Sequence, residues 1–463
     1  MKLKIFDTLS SKKQQFDPIE NNNVRMYVCG PTVYDLAHIG NARPVIVFDV
    51  LFRILQKIYG EKHVSYVRNI TDIDDKIITA AKQKKISTNK LTENTISFFH
   101  EDIKSLNVLE PSFEPKATET ISEMILMISD LIRKKFAYEI ENHVFFDTNQ
   151  SKEYGKLSKR TLDDMIAGSR VEISPYKKNP YDFVLWKPSK DGEPGWDSPW
   201  GFGRPGWHIE CSAMTKKFLG ISFDIHAGGA DLIFPHHENE IAQSESAHGK
   251  LFAKYWMHNG YLNIEGEKMS KSVGNILTIR ELLKEYDGEV LRFAMLSSQY
   301  RKPINFSKEL LESSKKQLNK IYQSFQLRSL KEDQNNIDII PESLLDDMNT
   351  PLAISEIHEI VKNLNNPSID DQEWIKLKKQ LKFYGKLMGL FNYDAKKWFE
   401  KNQKKFSNDE IEEIEKLVQE RNLARQNNNF KLADKIREDL SQRGVLIKDK
   451  DNESVWELIN GSK

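Results

Sequence analysis

Residues 234–240 read FPHHENE, in which a proline precedes five consecutive side chains that donate or accept hydrogen bonds or ligate metals. The preceding stretch FDIHAGGADLI is mostly small and apolar, which is typical of a buried strand that runs through glycines into a helix. Burying imidazoles and carboxylates together costs several kcal/mol unless partners compensate them. On a helix, Glu240 shares a face with His236, four residues away, and with His237, three residues away. The stretch therefore supplies two ligands of a metal site, and its spacing leaves the choice between the histidines open.

The only two cysteines of the chain, Cys29 and Cys211, complete this metal hypothesis. Zinc prefers four ligands drawn from thiolates, imidazoles and carboxylates, and each cysteine ends or follows a segment that can converge on one sheet edge. The close CxxC spacing of structural zinc sites is absent. The alternative is that the cysteines are buried, reduced and inert, while the histidines and glutamates cap a helix and pair with surface lysines.

Two further stretches carry groups suited to phosphate chemistry, although the Walker loop and a convincing GxGxxG are absent. YDLAHIGNARP sets His38, Gly40 and Asn41 between a strand and a helix start, where backbone N–H groups favour phosphate. EKMSKSVGN offers Lys268 and Lys271, a cation pair that can stabilise charge on a departing pyrophosphate. The alternatives are a simple turn for the first stretch and a solvated surface loop for the second.

The elements that must position these residues alternate between strand and helix. VRMYVCG and HVSYVRNIT are strand-like and flank the helix pattern VIVFDVLFRILQKIYG, which predicts a parallel sheet. FDIHAGG and YWMHNGYLNI predict further strands around the helix PHHENEIAQSESAHG, and the Gly/Pro-rich WKPSKDGEPGWDSPWGFGRPGW predicts a loop. Long amphipathic helices follow from about residue 280, and the end of the chain predicts a charged helical pair with a short tail that contains Trp456.

Bulk composition bounds the protein class. A length of 463 residues predicts a multidomain protein, and the formal net charge of zero neither requires nor excludes a nucleic-acid partner. No apolar run reaches the ~20 residues needed to cross a bilayer, and the N-terminus lacks the features of a signal or transit peptide. We therefore expect a cytoplasmic protein without a membrane partner.

Several of these stretches resemble one known family. HIGN at 38–41 and KMSKS at 268–272 resemble the two signatures of class I aminoacyl-tRNA synthetases. VCGPTVYDLAHIGNARP, RNITDIDDKI, GWHIECSAM and FDIHAGGADLIFPHHENEIAQSE, in this order, resemble cysteinyl-tRNA synthetases across nearly the whole chain. The resemblance implies one zinc ion per chain, held by Cys29, Cys211, His236 and Glu240, and so chooses His236 over His237.

The resemblance also implies the other site residues. His38, Lys268 and Lys271 are the expected catalytic residues, and ATP is expected to contact His38, Gly40, Asn41 and Lys271. The expected cysteine pocket consists of Gly30, Thr32, Thr71, Trp207 and His226. The sequence departs from the family signature at Asn41, where the usual last residue is histidine; an amide donates hydrogen bonds but carries no charge.

The expected function is that of a cysteine-tRNA ligase. L-Cysteine and ATP, with Mg²⁺, give cysteinyl-adenylate, and the cysteinyl group then passes to tRNA(Cys), with the protein acting as a monomer. Zinc distinguishes cysteine from serine because it binds thiolate strongly. Two alternatives stay open: a zinc-dependent cysteine ligase that acylates a small amine, and a non-catalytic zinc-containing RNA-binding protein.

The expected fold is α/β, with a Rossmann-like parallel-sheet catalytic domain that is split by an insertion and followed by an all-α helical bundle and a small C-terminal domain. The expected boundaries are 1–115 and 201–280 for the two catalytic halves, 116–200 for the connective insertion, 281–340 for a linking helical region, 341–408 for the anticodon-binding bundle and 409–463 for the small tRNA-contacting domain. Within the bundle, KKWFEKNQKKF at 396–406 is interpreted as an exposed helix with a buried Trp398 rather than as an RNA contact.

Overall fold

A computed structural model describes most of the chain. The described residues are 2–159, 175–268, 276–328, 330, 339–402, 408–427, 429–442, 445–450 and 453–458. They form two compact units: the first comprises Met1–Leu311, Asn336–Ile357 and Phe383–Leu390, and the second comprises Glu312–Asn335, His358–Lys382 and Phe391–Lys463.

The described residues include fifteen strands and fifteen α-helices. The strands are β1 (Lys4–Asp7), β2 (Lys12–Gln15), β3 (Val24–Val28), β4 (Val64–Arg68), β5 (Ala137–Ile140), β6 (His143–Phe146), β7 (Phe183–Pro188), β8 (Gly203–Pro205), β9 (Phe223–Gly229), β10 (Ala253–Asn259), β11 (Leu262–Ile264), β12 (Glu267–Lys268), β13 (Ile304–Phe306), β14 (Val445–Lys450) and β15 (Glu453–Leu458). The helices are α1 (Ile39–Tyr59), α2 (Asp75–Lys84), α3 (Thr88–Ser105), α4 (Ile121–Arg133), α5 (Trp207–Leu219), α6 (Glu238–His248), α7 (Ile279–Glu285), α8 (Gly288–Leu296), α9 (Lys308–Ser324), α10 (Glu342–Leu345), α11 (Thr350–Leu364), α12 (Asp371–Met388), α13 (Ala395–Asn402), α14 (Asn408–Gln426) and α15 (Phe430–Gln442).

A four-stranded parallel sheet forms the centre of the first unit, as the alternation of strand and helix signals predicts. Its strand order is β10-β9-β3-β4, and all three neighbouring pairs are parallel. Val24, Met26, Tyr27 and Val28 of β3 are fully buried, which agrees with a sheet that is covered on both faces. The chain leaves β3 toward β4 on one side and β9 toward β10 on the other, so the strand order reverses between β3 and β9. Open α/β sheets bind ligands at such a switch point, outside the carboxyl ends of the strands.

The described part of the insertion contains an antiparallel sheet that the sequence patterns only partly indicate. Its order is β5-β6-β7-β8, and the strand-like stretch HVFFDT corresponds to β6. The segment predicted as a loop contributes the end of β7 and all of β8, so that prediction was wrong for these residues. Trp186 and Trp200 explain the difference, because both are buried and pack edge to face with ring centroids 5.9 Å apart. This tertiary contact gives regular structure to a Gly/Pro-rich segment.

The C-terminal part of the second unit corrects another expectation. Helices α14 and α15 confirm the helical pair, but the predicted tail is an antiparallel hairpin in which β14 pairs with β15 from Val445–Leu458 to Lys450–Glu453. The two strands bury Val445 and Ile447 against the helices, and Trp456 packs on the same cluster. The segment therefore has a hydrophobic core of its own.

Trp398 confirms the interpretation of its helix as one with a buried aromatic residue. It is fully buried in the second unit, stacks on Tyr322 with ring centroids 4.5 Å apart, and donates from Nε1 to Asn319. In the described part of the chain, no helix has both the length and the apolar character needed to cross a bilayer.

Candidate active site

The switch point of the parallel sheet gathers the metal-ligand candidates. Cys29 follows β3 directly, and β9 ends at Gly229, which leads through short helical turns to His236 and into α6. Cys211 lies on α5, which packs beside β3 and α6. The four candidates thus come from three segments that meet outside the carboxyl ends of two adjacent strands.

The distances between the candidate donor atoms agree with a zinc site. Cys29 Sγ lies 3.9 Å from Cys211 Sγ and 3.7 Å from Glu240 Oε1. His236 Nε2 lies 3.5 Å from Cys211 Sγ and 3.0 Å from Glu240 Oε1. A tetrahedral zinc with bonds of about 2.0–2.3 Å has edges of about 3.3–3.8 Å between ligand atoms, so two sulfurs, one nitrogen and one oxygen at these separations fit the ion.

A second donor group overlaps the first. Cys29, His226, His237 and Glu240 also bring one donor atom each to within 4.8 Å of the others. Cys29 Sγ lies 3.3 Å from His237 Nε2, and His226 Nε2 lies 2.8 Å from the second carboxylate oxygen of Glu240. The geometry therefore brings together all the candidates that the sequence analysis selected, and it also brings His237 close to them. The group with both cysteines has the softer, more thiolate-rich donor set, which suits zinc better.

The charges of the group of four favour a cation among them. Burial raises the pKa of Cys29 well above its usual range. Burial also opposes ionisation of Cys211, but its hydrogen bond with Cys29 and the neighbouring His236 lower its pKa to about 6. Burial likewise opposes ionisation of Glu240, yet His226 and His236 lower its pKa to about 2. The buried group therefore contains a thiolate and a carboxylate, two anionic ligands of the kind that a divalent cation needs.

His236 is held in a defined orientation by two neighbours. Its Nδ1 lies 2.8 Å from Nδ1 of His208, whose pKa burial lowers well below the usual range. If Nε2 of His236 ligates a metal, its Nδ1 carries the proton and donates to the neutral His208. This contact leaves Nε2 of His236 facing the other three donors. Trp207 stacks on the imidazole with ring centroids 4.0 Å apart and an interplanar angle of 19°. The sequence analysis did not select His208; its signal was its position beside Trp207 in GWHIECSAM.

A cleft of about 440 Å³ joins the metal-ligand candidates to the first signature. Cys29 lines it together with Gly30, Thr32, Trp207, His38, Gly40 and Asn41. His38 precedes α1, and its backbone N–H donates to Oδ1 of Asn41 over 3.0 Å. The amide that replaces the usual histidine therefore caps the helix with its oxygen, while the same side chain carries an NH₂ group that donates.

The remaining pocket candidates lie next to the cleft in a buried hydrogen-bond network. Thr71 forms a bridge with Thr32 and donates to Glu210 over 3.0 Å, and the backbone N–H of Gly30 donates to Asn69 over 2.9 Å. A side chain on Gly30 would collide with the backbone of Asn69, since a Cβ there would lie 1.7 Å from the carbonyl oxygen. The glycine therefore permits a close approach of two segments at the cleft.

The cleft also contains a carboxylate that the sequence analysis did not select. Asp231 follows β9 and lines the cleft near Gly229. A carboxylate at this place suits the ammonium group of an amino acid. Its signal in the sequence was the short GGAD stretch directly before FPHHENE.

The second signature is described only at its first residue. The backbone of Lys268 belongs to β12, where it pairs with Asn263 of β11. Lys271 lies outside the described residues, as does the remainder of the KMSKS stretch.

Three family models match the chain. The "tRNA synthetases class I (C) catalytic domain" matches residues 15–316, the "DALR domain" matches residues 341–392, and the "Cysteinyl-tRNA ligase anticodon binding domain" matches residues 408–456. Together they cover most of the sequence.

Curated relatives align over nearly the full length. A cysteine-tRNA ligase of Saccharophagus degradans is 49% identical over 99% of this chain and 100% of that protein. A cysteine-tRNA ligase of Paramagnetospirillum magneticum is 50% identical over 98% of this chain and 99% of that protein.

Solved structures support the fold. Methionyl-tRNA synthetase of Mycobacterium tuberculosis in complex with methionyl-adenylate aligns with a TM-score of 0.55 and 16% identity, over 79% of this chain and 89% of that chain. A leucyl-tRNA synthetase complex of Agrobacterium radiobacter aligns with a TM-score of 0.54 and 12% identity, over 82% and 87% of the two chains. These likenesses show a shared fold over about four fifths of this chain.

Proposed function

We propose, since the chain belongs to the cysteinyl-tRNA synthetase family, that it selects its substrate with a zinc ion held by Cys29, Cys211, His236 and Glu240. The protein is an ATP-dependent ligase that activates L-cysteine and transfers the cysteinyl group to tRNA(Cys). The observation that carries the zinc proposal is the place of Cys29, which belongs to the four-donor group and also lines the cleft beside the HIGN stretch.

A metal ion would let the enzyme distinguish cysteine from serine, which the shape of a pocket alone does poorly. Cysteine differs from serine by one atom, and an apolar pocket discriminates weakly between such similar side chains. When bound, zinc supplies a soft Lewis acid that binds a thiolate much better than a hydroxyl. The neighbouring His208 and the cleft-lining Trp207 hold His236 in the orientation that this role requires.

The remaining site residues bind and align the two small substrates. Gly30, Thr32, Thr71, Trp207 and His226 form the proposed cysteine pocket, and Asp231 is the proposed partner of the substrate ammonium group. The carboxylate of cysteine then attacks the α-phosphorus of ATP and expels pyrophosphate. No protein nucleophile is needed, so catalysis depends on alignment and charge stabilisation.

The proposed ATP side uses both signatures. His38, Gly40 and Asn41 contact ATP at the start of α1, where backbone N–H groups and the helix dipole attract phosphate. Lys268 and Lys271 stabilise the charge on the departing pyrophosphate, and Mg²⁺ accompanies ATP. The NH₂ group of Asn41 donates to a phosphate oxygen while its carbonyl oxygen keeps the helix cap.

The rest of the chain serves the tRNA. We propose the domain division given from the sequence: catalytic halves at 1–115 and 201–280, the connective insertion at 116–200, a linking region at 281–340, an anticodon-binding bundle at 341–408 and a tRNA-contacting domain at 409–463. The described helices α11 to α13 and the separate core of α14, α15 and the β14–β15 hairpin support this division. The protein is proposed to act as a cytoplasmic monomer.

Cysteine-dependent exchange of labelled pyrophosphate into ATP tests the proposal. The zinc-loaded protein should exchange with cysteine and hardly at all with serine, and apo protein prepared with a chelator should lose the preference for cysteine. Equal exchange with the two amino acids would refute selection by the metal. No exchange by a folded, zinc-loaded protein would refute adenylation and favour an RNA-binding protein.

The small-amine ligase lacks support. The DALR domain model matches residues 341–392, and the anticodon-binding domain model matches residues 408–456. An enzyme that acylates a small amine would not need this part of the chain. Charging of tRNA(Cys) in the presence of a competing small amine measures this directly, and we expect only the tRNA to be acylated.

A further inference from the structure

Arg43 is a buried cation beside the first signature, and neither the signature nor the metal site explains it. It lies on α1 two residues after Asn41 and is 1% exposed. In the described part of the chain no carboxylate forms an ion pair with it. Burial alone lowers its pKa to about 10, so the guanidinium stays charged at neutral pH. A buried charge without an ionic partner is costly, which calls for a specific use of its hydrogen bonds.

All hydrogen bonds of the guanidinium run from its two Nη atoms to backbone carbonyls of two segments, while its Nε is buried without a hydrogen-bond partner among the described residues. Nη1 donates to the carbonyl oxygens of Gly260 and Tyr261, and Nη2 donates to those of Tyr300 and Lys302. An arginine has five N–H donors, four of them on the two Nη atoms. These four contacts occupy the Nη atoms of Arg43 and leave them no donor for a phosphate. Arg43 therefore holds protein segments together and does not bind the nucleotide through these atoms.

The two segments are the beginnings of two parallel strands. Tyr261 directly precedes β11 and Lys302 lies two residues before β13, and these strands pair from Leu262 with Ile304 to Ile264 with Phe306. The N–H of Gly260 also donates to the Tyr300 carbonyl over 2.8 Å. Arg43 thus bridges the same end of both strands.

The small sheet that Arg43 holds carries the start of the second signature. Strand β11 also pairs with β12, in which Asn263 lies opposite Lys268. Arg43 itself lies on the helix that begins with Ile39, Gly40 and Asn41. The cleft is lined by Arg43 and by Gly260, Tyr261 and Leu262, so the junction forms part of its wall.

We propose that Arg43 is a positioning residue for ATP binding. It fixes the β11–β12–β13 sheet against the N-terminal turns of α1, and in this way it sets the separation between the two proposed ATP-binding signatures. This inference rests on the proposed ATP roles of His38, Gly40, Asn41 and Lys268. The planar guanidinium spans four carbonyls at once, whereas the single ammonium of lysine cannot reach both strand ends in the same geometry.

The test compares Arg43→Lys and Arg43→Ala with the wild type in cysteine-dependent pyrophosphate exchange. Misplacement of reacting groups by about 1 Å costs about 100-fold in rate, so kcat/KM for ATP should fall about 100-fold in both variants while KM for cysteine and zinc content stay near wild type. Guanidinium chloride well below its denaturing range should partly restore ATP use by Arg43→Ala, and sodium chloride at equal ionic strength should not.

Arg292→Lys is the matched control. Arg292 is equally buried and donates to the carbonyls of Met388, Leu106 and Asn107, away from the residues that line the cleft; unlike Arg43 it also pairs with a carboxylate, that of Asp49. This control should lower the melting temperature without changing KM for ATP. Gly260→Ala disturbs the same junction from its other side, because a Cβ there would lie 2.6 Å from the carbonyl oxygens of Arg301 and Lys302, and it should reproduce the loss that is selective for ATP.

Three outcomes would overturn the inference: wild-type kcat/KM for ATP in Arg43→Lys, parallel losses for ATP and cysteine, or the same selective loss in Arg292→Lys. If Arg43→Ala does not fold, Arg43→Lys and Gly260→Ala give the same readout. If the wild type shows no pyrophosphate exchange, the proposed function is overturned, and this inference with it. If the wild type exchanges normally and the Arg43 variants do not show the predicted loss, only this inference is overturned.

Discussion

Glu240 connects the two overlapping donor groups because its carboxylate oxygens face different partners. Oε1 lies 3.0 Å from His236 and 3.7 Å from Cys29, whereas Oε2 lies 2.8 Å from His226. A carboxylate that ligates through one oxygen needs a hydrogen bond on the other to fix its orientation. We therefore interpret His226 as the residue that orients Glu240, in addition to its proposed place in the cysteine pocket.

His236 and His237 are adjacent and equally buried, and their replacement separates the two donor groups. We expect His236→Ala to lose zinc and to raise KM for cysteine far more than KM for ATP, because it removes a ligand. His237→Ala should keep its zinc and lose only stability. Metal analysis of the purified proteins, with both KM values, measures this. Zinc loss in His237→Ala together with retention in His236→Ala would identify the other group as the metal site.

The beginning of α1 combines a structural role with the proposed ATP contact. The His38 N–H donates to Asn41, and the Ile39 N–H donates to the Leu277 carbonyl over 2.8 Å. His38 also pairs with Thr278 in an isolated antiparallel bridge. The first turn of the helix is therefore fixed by its own cap and by a neighbouring segment before any nucleotide is bound.

Replacement of Asn41 separates the cap from the phosphate contact. Asn41→Asp keeps an oxygen acceptor for the cap but adds a negative charge and removes the donor, so we expect a nearly unchanged melting temperature and a raised KM for ATP. Asn41→Ala should lose both functions, with about 1 kcal/mol of stability from the lost cap.

Ser87→Ala is the control for the loss of a cap alone, since Ser87 caps α3 through the Lys90 N–H over 3.2 Å. It should lower the melting temperature and leave KM for ATP unchanged. An unchanged KM for ATP in Asn41→Asp would contradict the phosphate contact.

The C-terminal hairpin is joined to its helices by an ion pair between a buried arginine and a partly exposed carboxylate. Arg421 of α14 is 3% exposed and donates to both carboxylate oxygens of Asp449 on β14, over 2.7 and 3.2 Å. The hydrogen bond from Arg421 lowers the pKa of Asp449 to about 2, and a hydrogen bond with Ser454 adds to this effect. Burial acts in the opposite direction. The charged form of Asp449 therefore stabilises the hairpin.

Asp449→Asn should destabilise this segment by about 1–2 kcal/mol, because Arg421 keeps its buried charge and loses its partner. The ordinary pKa of aspartate is about 3.9, so the folded state has the lower pKa. The stabilisation is complete above about pH 4 and is lost as pH falls toward 2. Hydrogen exchange of residues 445–458 in the full-length protein, at neutral pH and at pH 3, measures both effects. The exposed Asp434→Asn on α15 should change neither; equal protection in Asp449→Asn and wild type would contradict the prediction.

At the scale of the whole chain, the proposed domain division separates small-molecule chemistry from tRNA recognition. The metal-ligand candidates, the cleft and Arg43 all belong to the first unit. The hydrophobic cluster of α14, α15 and the hairpin consists of residues from within that C-terminal segment, such as Ile414, Ile436, Leu440 and Val445. This division lets adenylation proceed without the residues that contact the tRNA.

Removal of residues 403–463 should therefore affect the two reaction steps differently. We expect cysteine-dependent pyrophosphate exchange to remain near the full-length value, because the cleft is intact, and charging of tRNA(Cys) to fall steeply through a raised KM for tRNA. Both assays on full-length and truncated protein check this, with zinc content as a control for folding. A parallel loss of exchange would contradict the separation.

Much of the site was readable from local patterns. The strand-helix alternation predicted the parallel sheet, and the residue types of FPHHENE with the two cysteines predicted a metal site, because periodicity and ligand chemistry are properties of short segments. The hairpin after α15 was missed although VLIKDKDNESVWEL contains the pair DN, a residue combination typical of turns. Its apolar residues gain strand structure only by packing on α14 and α15.

The remaining decisions depended on contacts between distant parts of the chain. The spacing of FPHHENE left His236 and His237 equivalent; the fold sets His236 against Cys211 and His208, and His237 against Cys29 and His258. The sequence around Arg43 does not distinguish it from other helix residues. Its hydrogen-bond partners lie more than 200 positions away, at the beginnings of two strands. The periodicity and residue chemistry of a segment can be read from the segment itself. The partners of a buried polar group depend on chain topology, which brings distant segments together and cannot be inferred from a local pattern.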